Sequence, residues 1–194
     1  MMRLPPRHLP VLLVFLLVAC GSSPATHTVS AYGMSKTRPD PLMERRIIFL
    51  HPPSGERLDI VYVRGGRYDK TALKKINYLF RDRHTGTAGT IDPELIDYLI
   101  DIRTRLGLPP TVTFEILSGY RTRTTNKRLA RNNSNVATES LHVHGWAVDF
   151  RIADVDGGAI CEIAKTMQRG GVAYYPGDNH IHVDLGNIRT WKQK

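Results

Sequence analysis

The pattern that most constrains this chain is a strict alternation of polar and apolar residues over positions 180–185. His180, His182 and Asp184 alternate there with an isoleucine, a valine and a leucine. Side chains of a β-strand alternate between its two faces, whereas those of an amphipathic helix repeat about every 3.6 residues. The segment is therefore predicted to be a strand with a buried apolar face and an opposite face that carries two imidazoles and a carboxylate.

A second segment, residues 140–152, has a similar composition. It contains His142 and His144, and its last six residues alternate so that Asp149 and Arg151 share one face of another predicted strand. Neutral imidazole nitrogens and carboxylate oxygens are both good ligands for Zn²⁺. Histidines on a polar strand face are often merely solvated, but two such segments, each with a glycine beside it, favour a zinc site where the strands meet.

The N-terminus resembles a bacterial lipoprotein signal peptide. Arg3 and Arg7 precede an apolar run at 11–19, which has the length of a signal-peptide core and is too short to span a bilayer. Small residues then lead directly into Cys20, which implies cleavage before that cysteine and lipidation of its thiol. An ordinary secretory signal with an incidental cysteine is the alternative.

Three parts are predicted along the chain: a lipoprotein signal peptide at 1–19, a lipid anchor and flexible tether at 20–43, and one folded domain at 44–194. The tether is rich in Ser, Thr, Pro and Gly. We expect an exported protein held by its lipid at the periplasmic face of a bacterial membrane, the outer membrane if the host is Gram-negative. Cys161 is the only other cysteine, so no intramolecular disulfide is expected in the mature protein.

Within the domain, helices and strands are mixed without a regular β-α-β repeat, which favours an α+β fold with a mainly antiparallel sheet and flanking helices. Strands are predicted at 46–50, 58–63, 111–117, 147–152, 172–175 and 181–185, and helices at 70–81, 92–106, 125–131 and 158–168.

The net charge of +9 would suggest nucleic-acid binding in a cytosolic protein. The chain contains neither an aromatic-basic RNA motif nor a glycine-rich phosphate loop, and an exported protein meets other polyanions. Those are the stem-peptide carboxylates of the cell wall and phosphorylated lipid headgroups. We therefore expect no nucleic-acid partner, and a monomer.

Several motifs occur together in an order typical of one family. They are Ser118-Gly-Tyr-Arg121, the pattern S-x-H-x-x-G-x-A-x-D at 140–149, the segment 170–176, and His182-Val-Asp-x-Gly186. Over residues 47–191 the chain resembles the YcbK-like murein endopeptidases. These form a branch of the D-Ala-D-Ala metallopeptidase superfamily, which also includes the hedgehog signalling domain. The resemblance implies the hedgehog/D-Ala-D-Ala peptidase type of α+β fold.

The resemblance also implies roles for individual residues. His142, Asp149 and His182 correspond to the family's zinc ligands, with water expected at the fourth position. By the same resemblance, Arg121 corresponds to the family's substrate-binding arginine. A guanidinium suits that role, because it can hold a stem-peptide carboxylate or stabilise an oxyanion.

Two positions depart from the wider superfamily. Better-studied members have an acidic general base three residues before the last ligand, where this chain has Asn179. Asp184 is a candidate for that base, or for a residue that orients a ligand imidazole. His180 replaces an aromatic residue of close relatives, and its candidate roles are base, additional ligand or transition-state donor. His144 is expected on the surface.

The predicted function is a zinc metallopeptidase that hydrolyses peptide cross-links in bacterial peptidoglycan, with the stem peptides as its partners. Two alternatives remain open at this point. One is a zinc-stabilised module that binds cell-wall peptides without cleaving them. The other is a D,D-carboxypeptidase.

Overall fold

In the computed structural model, which describes residues 44–133 and 136–192, eight strands form one sheet. The strands are β1 (Arg45–His51), β2 (Glu56–Arg64), β3 (Arg67–Tyr68), β4 (Thr113–Ser118), β5 (Ala147–Ile152), β6 (Gly171–Tyr175), β7 (His180–Asp184) and β8 (Arg189–Lys192). The helices are α1 (Lys70–Leu79), α2 (Pro93–Arg105), α3 (Arg123–Asn132), α4 (Gly157–Thr166) and a 3-10 helix (Leu141–His144).

The strand order in the sheet is β3-β2-β1-β4-β5-β7-β6-β8. Neighbouring strands are antiparallel except for the pairs β1–β4 and β6–β8, which are parallel. The prediction of an α+β fold with a mainly antiparallel sheet is therefore confirmed.

Helices α1, α2 and α4 bury their apolar stripes in the same core as the strands. Helix α2 begins as predicted, because the Asp92 carboxylate accepts a hydrogen bond from the Glu94 amide (2.9 Å) and proline occupies the first helical position. The Tyr98 hydroxyl of α2 donates to the Ala164 carbonyl of α4 (3.1 Å). This bond joins two of the helices that cover the sheet.

Strands β5 and β7 show the alternation that their sequences predict. The apolar residues Val148, Phe150 and Val183 are fully buried in the core. Asp149 pairs with His182 across the β5–β7 ladder, so these two side chains lie next to each other on the face that points away from this core. The ladder thereby brings the two sequence segments of the predicted zinc site together.

The structure adds two strands that the sequence did not predict. Both β3 and β8 are short and lie at the edges of the sheet, and neither contains an alternating apolar pattern. The backbone of β8 pairs with β6 in parallel, which places Trp191 opposite Ala173. Pairing at an edge requires only backbone hydrogen bonds, so sequence periodicity does not reveal such strands.

The predicted signal peptide (1–19) and tether (20–43) lie outside the described residues, so the structure does not test them. Cys161 is buried on α4. Among the described residues, no helix has both the length and the apolar character needed to cross a bilayer.

Candidate metal centre

Three of the predicted site residues converge on one point. His142 comes from the 3-10 helix, Asp149 from β5 and His182 from β7. One ligand atom from each lies within 4.8 Å of the others, a spacing that allows one metal ion to be held by all three. Two imidazole nitrogens and one carboxylate oxygen form a donor set that suits zinc and leaves a fourth position open.

Asp149 lies between the two histidines. Its Oδ1 is 2.8 Å from Nδ1 of His182, and its Oδ2 is 3.4 Å from Nε2 of His142. The side chains are largely removed from water: His142 is 2% exposed and His182 is 8% exposed. Such close burial of one carboxylate and two imidazoles is costly unless the groups share protons or a cation.

The orientation of His142 is set from outside the cluster. Its Nδ1 donates to the Gly119 carbonyl oxygen at 2.7 Å, because a carbonyl can only accept. The neutral ring then presents the lone pair of Nε2 to Asp149. Gly145 ends the 3-10 helix with a φ of 71°, a conformation that glycine adopts without strain.

The orientation of His182 is set by Asp184. Oδ2 of Asp184 accepts from Nε2 of His182 at 3.0 Å, so in the neutral ring the lone pair of Nδ1 is directed at Asp149. Asp184 is fully buried and also accepts from the amides of Gly171 and Gly186 (both 2.8 Å) and from Arg189. A carboxylate behind a ligand histidine fixes the tautomer and the ring orientation of that ligand.

The electrostatics of the cluster follow from burial and from these contacts. Burial by itself raises the pKa of Asp149, but His142 and His182 outweigh it and hold that pKa well below its ordinary value. Burial lowers the pKa of His142. Burial also opposes protonation of His182, but Asp149 and Asp184 outweigh it and raise the pKa of that ring. Asp149 is thus an anion at neutral pH.

Arg121 lies directly beside the cluster. Its Nη2 donates to Oδ2 of Asp149 (2.8 Å) and its Nε donates to Oγ of Ser118 (2.8 Å). Its backbone amide donates to the His142 carbonyl (3.1 Å), which ties the loop before α3 to the 3-10 helix. The Nη1 group forms no hydrogen bond with any residue in the described part of the chain.

The cluster opens into a cleft of about 440 Å³. All three candidate ligands and Arg121 line it, and aromatic side chains of β6 and β8 form part of its wall. Tyr175 and Trp191 are joined there by a hydrogen bond from the indole Nε1 to the phenol oxygen (3.2 Å). The cleft therefore connects the candidate metal position with solvent.

His180 lies in the same cleft. Its Nδ1 is 2.5 Å from Oδ1 of Asp178, and its ring stacks on Tyr175 with centroids 4.4 Å apart and planes 4° apart. Because the carboxylate accepts from Nδ1, Nε2 of His180 remains available as a proton acceptor. His144, in contrast, is exposed and lies against Trp146, and it does not line this cleft.

Asn179 has a structural role. Its Oδ1 accepts from the Gly157 amide (2.8 Å) and its Nδ2 donates to the Val155 carbonyl (3.0 Å), which connects the β6–β7 turn to the start of α4. Its φ of 53° lies in the left-handed region that asparagine tolerates better than most residues. Asn179 does not line the cleft, so its side chain does not take the place of the acidic base that other superfamily members have at this position.

Sequence reasoning did not identify two groups that orient the site. Asp178 precedes His180 by two residues in a turn, and only the turn geometry brings the two side chains together. The Gly119 carbonyl that orients His142 is a backbone atom 23 positions away, which no side-chain motif can reveal.

Comparison with known proteins is consistent with this geometry. A profile of the family described as "Peptidoglycan L,D-endopeptidase MepK" matches residues 41–191. The chain is 39% identical over 148 residues to a Haemophilus influenzae protein named "Probable peptidoglycan L,D-endopeptidase MepK", which covers 76% of this chain and 79% of that protein. It is 36% identical over 138 residues to the Escherichia coli K12 protein named "Peptidoglycan L,D-endopeptidase MepK", with 71% and 75% covered. No solved structure matches the chain significantly.

Proposed function

The chain belongs to the peptidoglycan L,D-endopeptidase MepK family, and from this membership and the buried His-Asp-His cluster we propose that it is a zinc-dependent endopeptidase that cleaves peptide cross-links in bacterial peptidoglycan. The predicted resemblance to murein endopeptidases is thereby confirmed at the level of the family. Zinc as the metal, the individual residue roles and the membrane location are the parts that we propose.

The observation that carries the proposal is the way both imidazoles are held. Each histidine donates its outer nitrogen proton to a fixed acceptor, Gly119 for His142 and Asp184 for His182. Each inner nitrogen therefore offers a lone pair to the same point, where Asp149 adds a negative charge. Ligand atoms that converge on one point, with their rings fixed from behind, are the arrangement that a divalent cation requires.

His142, Asp149 and His182 would hold the zinc ion, which when bound polarises a carbonyl and lowers the pKa of its water. Asp184 fits the orienting role among its two predicted roles, because it has no exposed surface and its oxygens are engaged by four neighbouring groups. We propose that His180 holds the transferred proton at Nε2, with Asp178 fixing the opposite side of the ring.

Arg121 fits the predicted role of substrate binder in part. Two of its nitrogens bind Ser118 and Asp149, so it first positions the carboxylate ligand. We propose that Nη1 contacts the substrate, as a carboxylate or as the oxygen that becomes negative during the attack.

The alternative of a non-catalytic binding module depended on the absence of an acid at Asn179. Against this alternative we propose that His180, which faces the cleft, supplies the proton-transfer group that Asn179 cannot provide. A D,D-carboxypeptidase would use the same chemistry on another bond. The names of the relatives favour an endopeptidase.

The test combines metal content with product analysis. We expect one zinc per chain by elemental analysis, and release of cross-link cleavage products from purified muropeptides by mass spectrometry. His142→Ala and His182→Ala are expected to lose zinc and activity together, whereas His144→Ala should retain both because it lies outside the cleft. Full zinc retention in either ligand variant would refute the assignment.

We propose in addition that the protein is lipidated at Cys20 and faces the cell wall from a membrane surface. The support is the sequence alone: a basic N-terminus, an apolar run of signal-peptide length and small residues before the cysteine. A membrane anchor facing the cell wall would place the cleft close to peptidoglycan, its proposed substrate. No oligomer is required to complete the site, since one chain supplies all three candidate ligands.

A further inference from the structure

The exposed side of α3 carries four cationic residues and no acidic one. Arg123, Lys127 and Arg131 follow one another at intervals of four residues, so they lie along one side of the helix, and Arg128 extends this surface. All four side chains are exposed. The opposite side of the helix is buried through Thr125 and Asn126. We call these four residues the α3 cationic face.

The α3 cationic face is not neutralised within the protein. Most ion pairs of the described residues join arginines to carboxylates, as in Arg45–Asp97 and Arg151–Glu115. No residue of the α3 cationic face forms an ion pair within ranges 44–133 and 136–192, and α3 contains no acidic residue. Like charges four residues apart destabilise a helix, so folding by itself does not favour this pattern.

The buried side holds the helix in place despite this repulsion. The Thr122 hydroxyl caps its first turn by accepting from the Thr125 amide (3.2 Å) and donates to the Asp82 carboxylate (2.8 Å). The Asn126 amide donates to the carbonyls of Ala137 and Thr138 (3.1 and 2.9 Å). The cations are therefore presented on a fixed support.

That support is also a wall of the catalytic cleft. Residues 136–140, which Asn126 ties to α3, contribute to the cleft lining. At the other end of the helix, Arg121 is bonded to Asp149 just before α3 begins. The α3 cationic face thus lies on the element that connects both of these parts of the cleft.

We propose that the α3 cationic face is a docking surface for the carboxylates of stem peptides in the peptidoglycan polymer, next to the bond that the cleft cleaves. The proposal rests on the proposed function for its choice of polymer. A membrane surface is the other available polyanion in an exported protein. It is the weaker candidate, because a helix that lies on a membrane needs an apolar face for insertion and the exposed side of α3 has none.

The test uses two full-chain variants with the same loss of charge. One carries Arg123→Gln, Lys127→Gln and Arg131→Gln in α3, and the control carries Lys70→Gln, Lys74→Gln and Lys75→Gln, which are exposed lysines of α1. Binding is measured by co-sedimentation with insoluble peptidoglycan in the presence of EDTA, so that no hydrolysis occurs, at low and at high salt. Vesicles containing phosphatidylglycerol are tested in parallel.

We expect the α3 variant to bind peptidoglycan about tenfold more weakly at low salt, because it would lose several exposed ion pairs with the polymer. Its affinity should also change less with salt concentration than that of the wild type. The α1 control should bind like the wild type. Thermal unfolding of the α3 variant should occur no earlier than in the wild type, because the substitution removes repulsion. This last result separates a lost docking surface from a lost fold.

Three outcomes would overturn the proposal: unchanged binding of the α3 variant, equal losses in both variants, or a loss restricted to vesicles. The test is independent of catalysis. If the wild type releases no product from muropeptides but the α3 variant still loses binding, the peptidase function fails and the docking surface stands. If products are released and binding is unchanged, only the docking surface fails.

Discussion

Asp149 is the residue that connects the site. It contacts both candidate ligand histidines and Arg121, and no other described side chain does so. Its pKa is held well below the ordinary value, because the histidines outweigh the effect of burial. A fixed anion at this position attracts a cation into the cluster and orients the arginine that borders the cleft.

The role of Asp184 can be tested by Asp184→Asn. In the asparagine, an NH2 group could replace the oxygen that accepts from His182 and Arg189, and an NH2 group cannot accept a hydrogen bond. His182 would then lose the acceptor that fixes its tautomer. We expect zinc to bind about 10–100-fold more weakly, measured by competition with a chelator. Asp178→Asn, which alters only the contact to His180, should retain zinc. If Asp184→Asn instead kept zinc and lost turnover about 10²–10⁴-fold, Asp184 would be the base.

The role of His180 can be tested by His180→Phe. Phenylalanine preserves an aromatic ring against Tyr175 but removes Nε2. We expect zinc content to be unchanged and turnover on muropeptides to fall by about 10²-fold or more, the range of general acid–base help. His144→Phe, at an exposed position outside the cleft, should have wild-type turnover. Wild-type turnover in the His180→Phe enzyme would assign the proton transfer to another group.

At the scale of elements, the site depends on three pieces of backbone that meet at one place. The β5–β7 ladder sets Asp149 opposite His182, and a register shift in β4 brings Ser118 level with Asp149. The 3-10 helix adds His142 from outside the sheet. Any change that moves the 3-10 helix relative to the ladder should weaken metal binding without altering a ligand.

Gly145→Ala is the sharpest test of that coupling. Gly145 has φ 71°, and a Cβ atom there would lie 1.9 Å from the Thr90 carbonyl oxygen. Gly55 has a similar φ of 68°, but a Cβ atom there would have no atom within 4 Å apart from its own residue and its chain neighbours. We therefore expect Gly55→Ala to cost about 1–2 kcal/mol in urea unfolding, the left-handed strain alone. Gly145→Ala should cost clearly more and should weaken zinc binding. Equal costs would show that the Thr90 contact is relieved without moving the helix.

At the scale of the whole molecule, the proposed anchor determines which polymer the domain meets. We expect Cys20→Ser to release the protein from the membrane fraction, because the lipid on that cysteine would be the attachment. Fractionation with mass spectrometry of the N-terminus measures this. Unchanged membrane association, with an unmodified residue 20 in the wild type, would exclude lipidation.

Much of the fold follows from local patterns in the sequence. The alternation in β5 and β7, the Asp92 cap of α2 and the apolar stripe of that helix are all encoded within a few residues, so their elements were predictable. The family motifs likewise identified the residues that form the cluster. The strand alternation, the helix cap and the apolar stripe depend on side-chain period and capping chemistry, which are properties of neighbouring residues.

The roles of individual groups required the tertiary structure. Asp184 and His180 share one strand face with His182, and the sequence alone could not say which of them is buried behind the ligand and which faces the cleft. Gly119 and Asp178 orient the site through a backbone carbonyl and through a turn. The sequence determined which side chains share a face of each strand, because strand period is local. Their burial and hydrogen-bond partners were decided by packing between segments far apart in the chain, which no local pattern encodes.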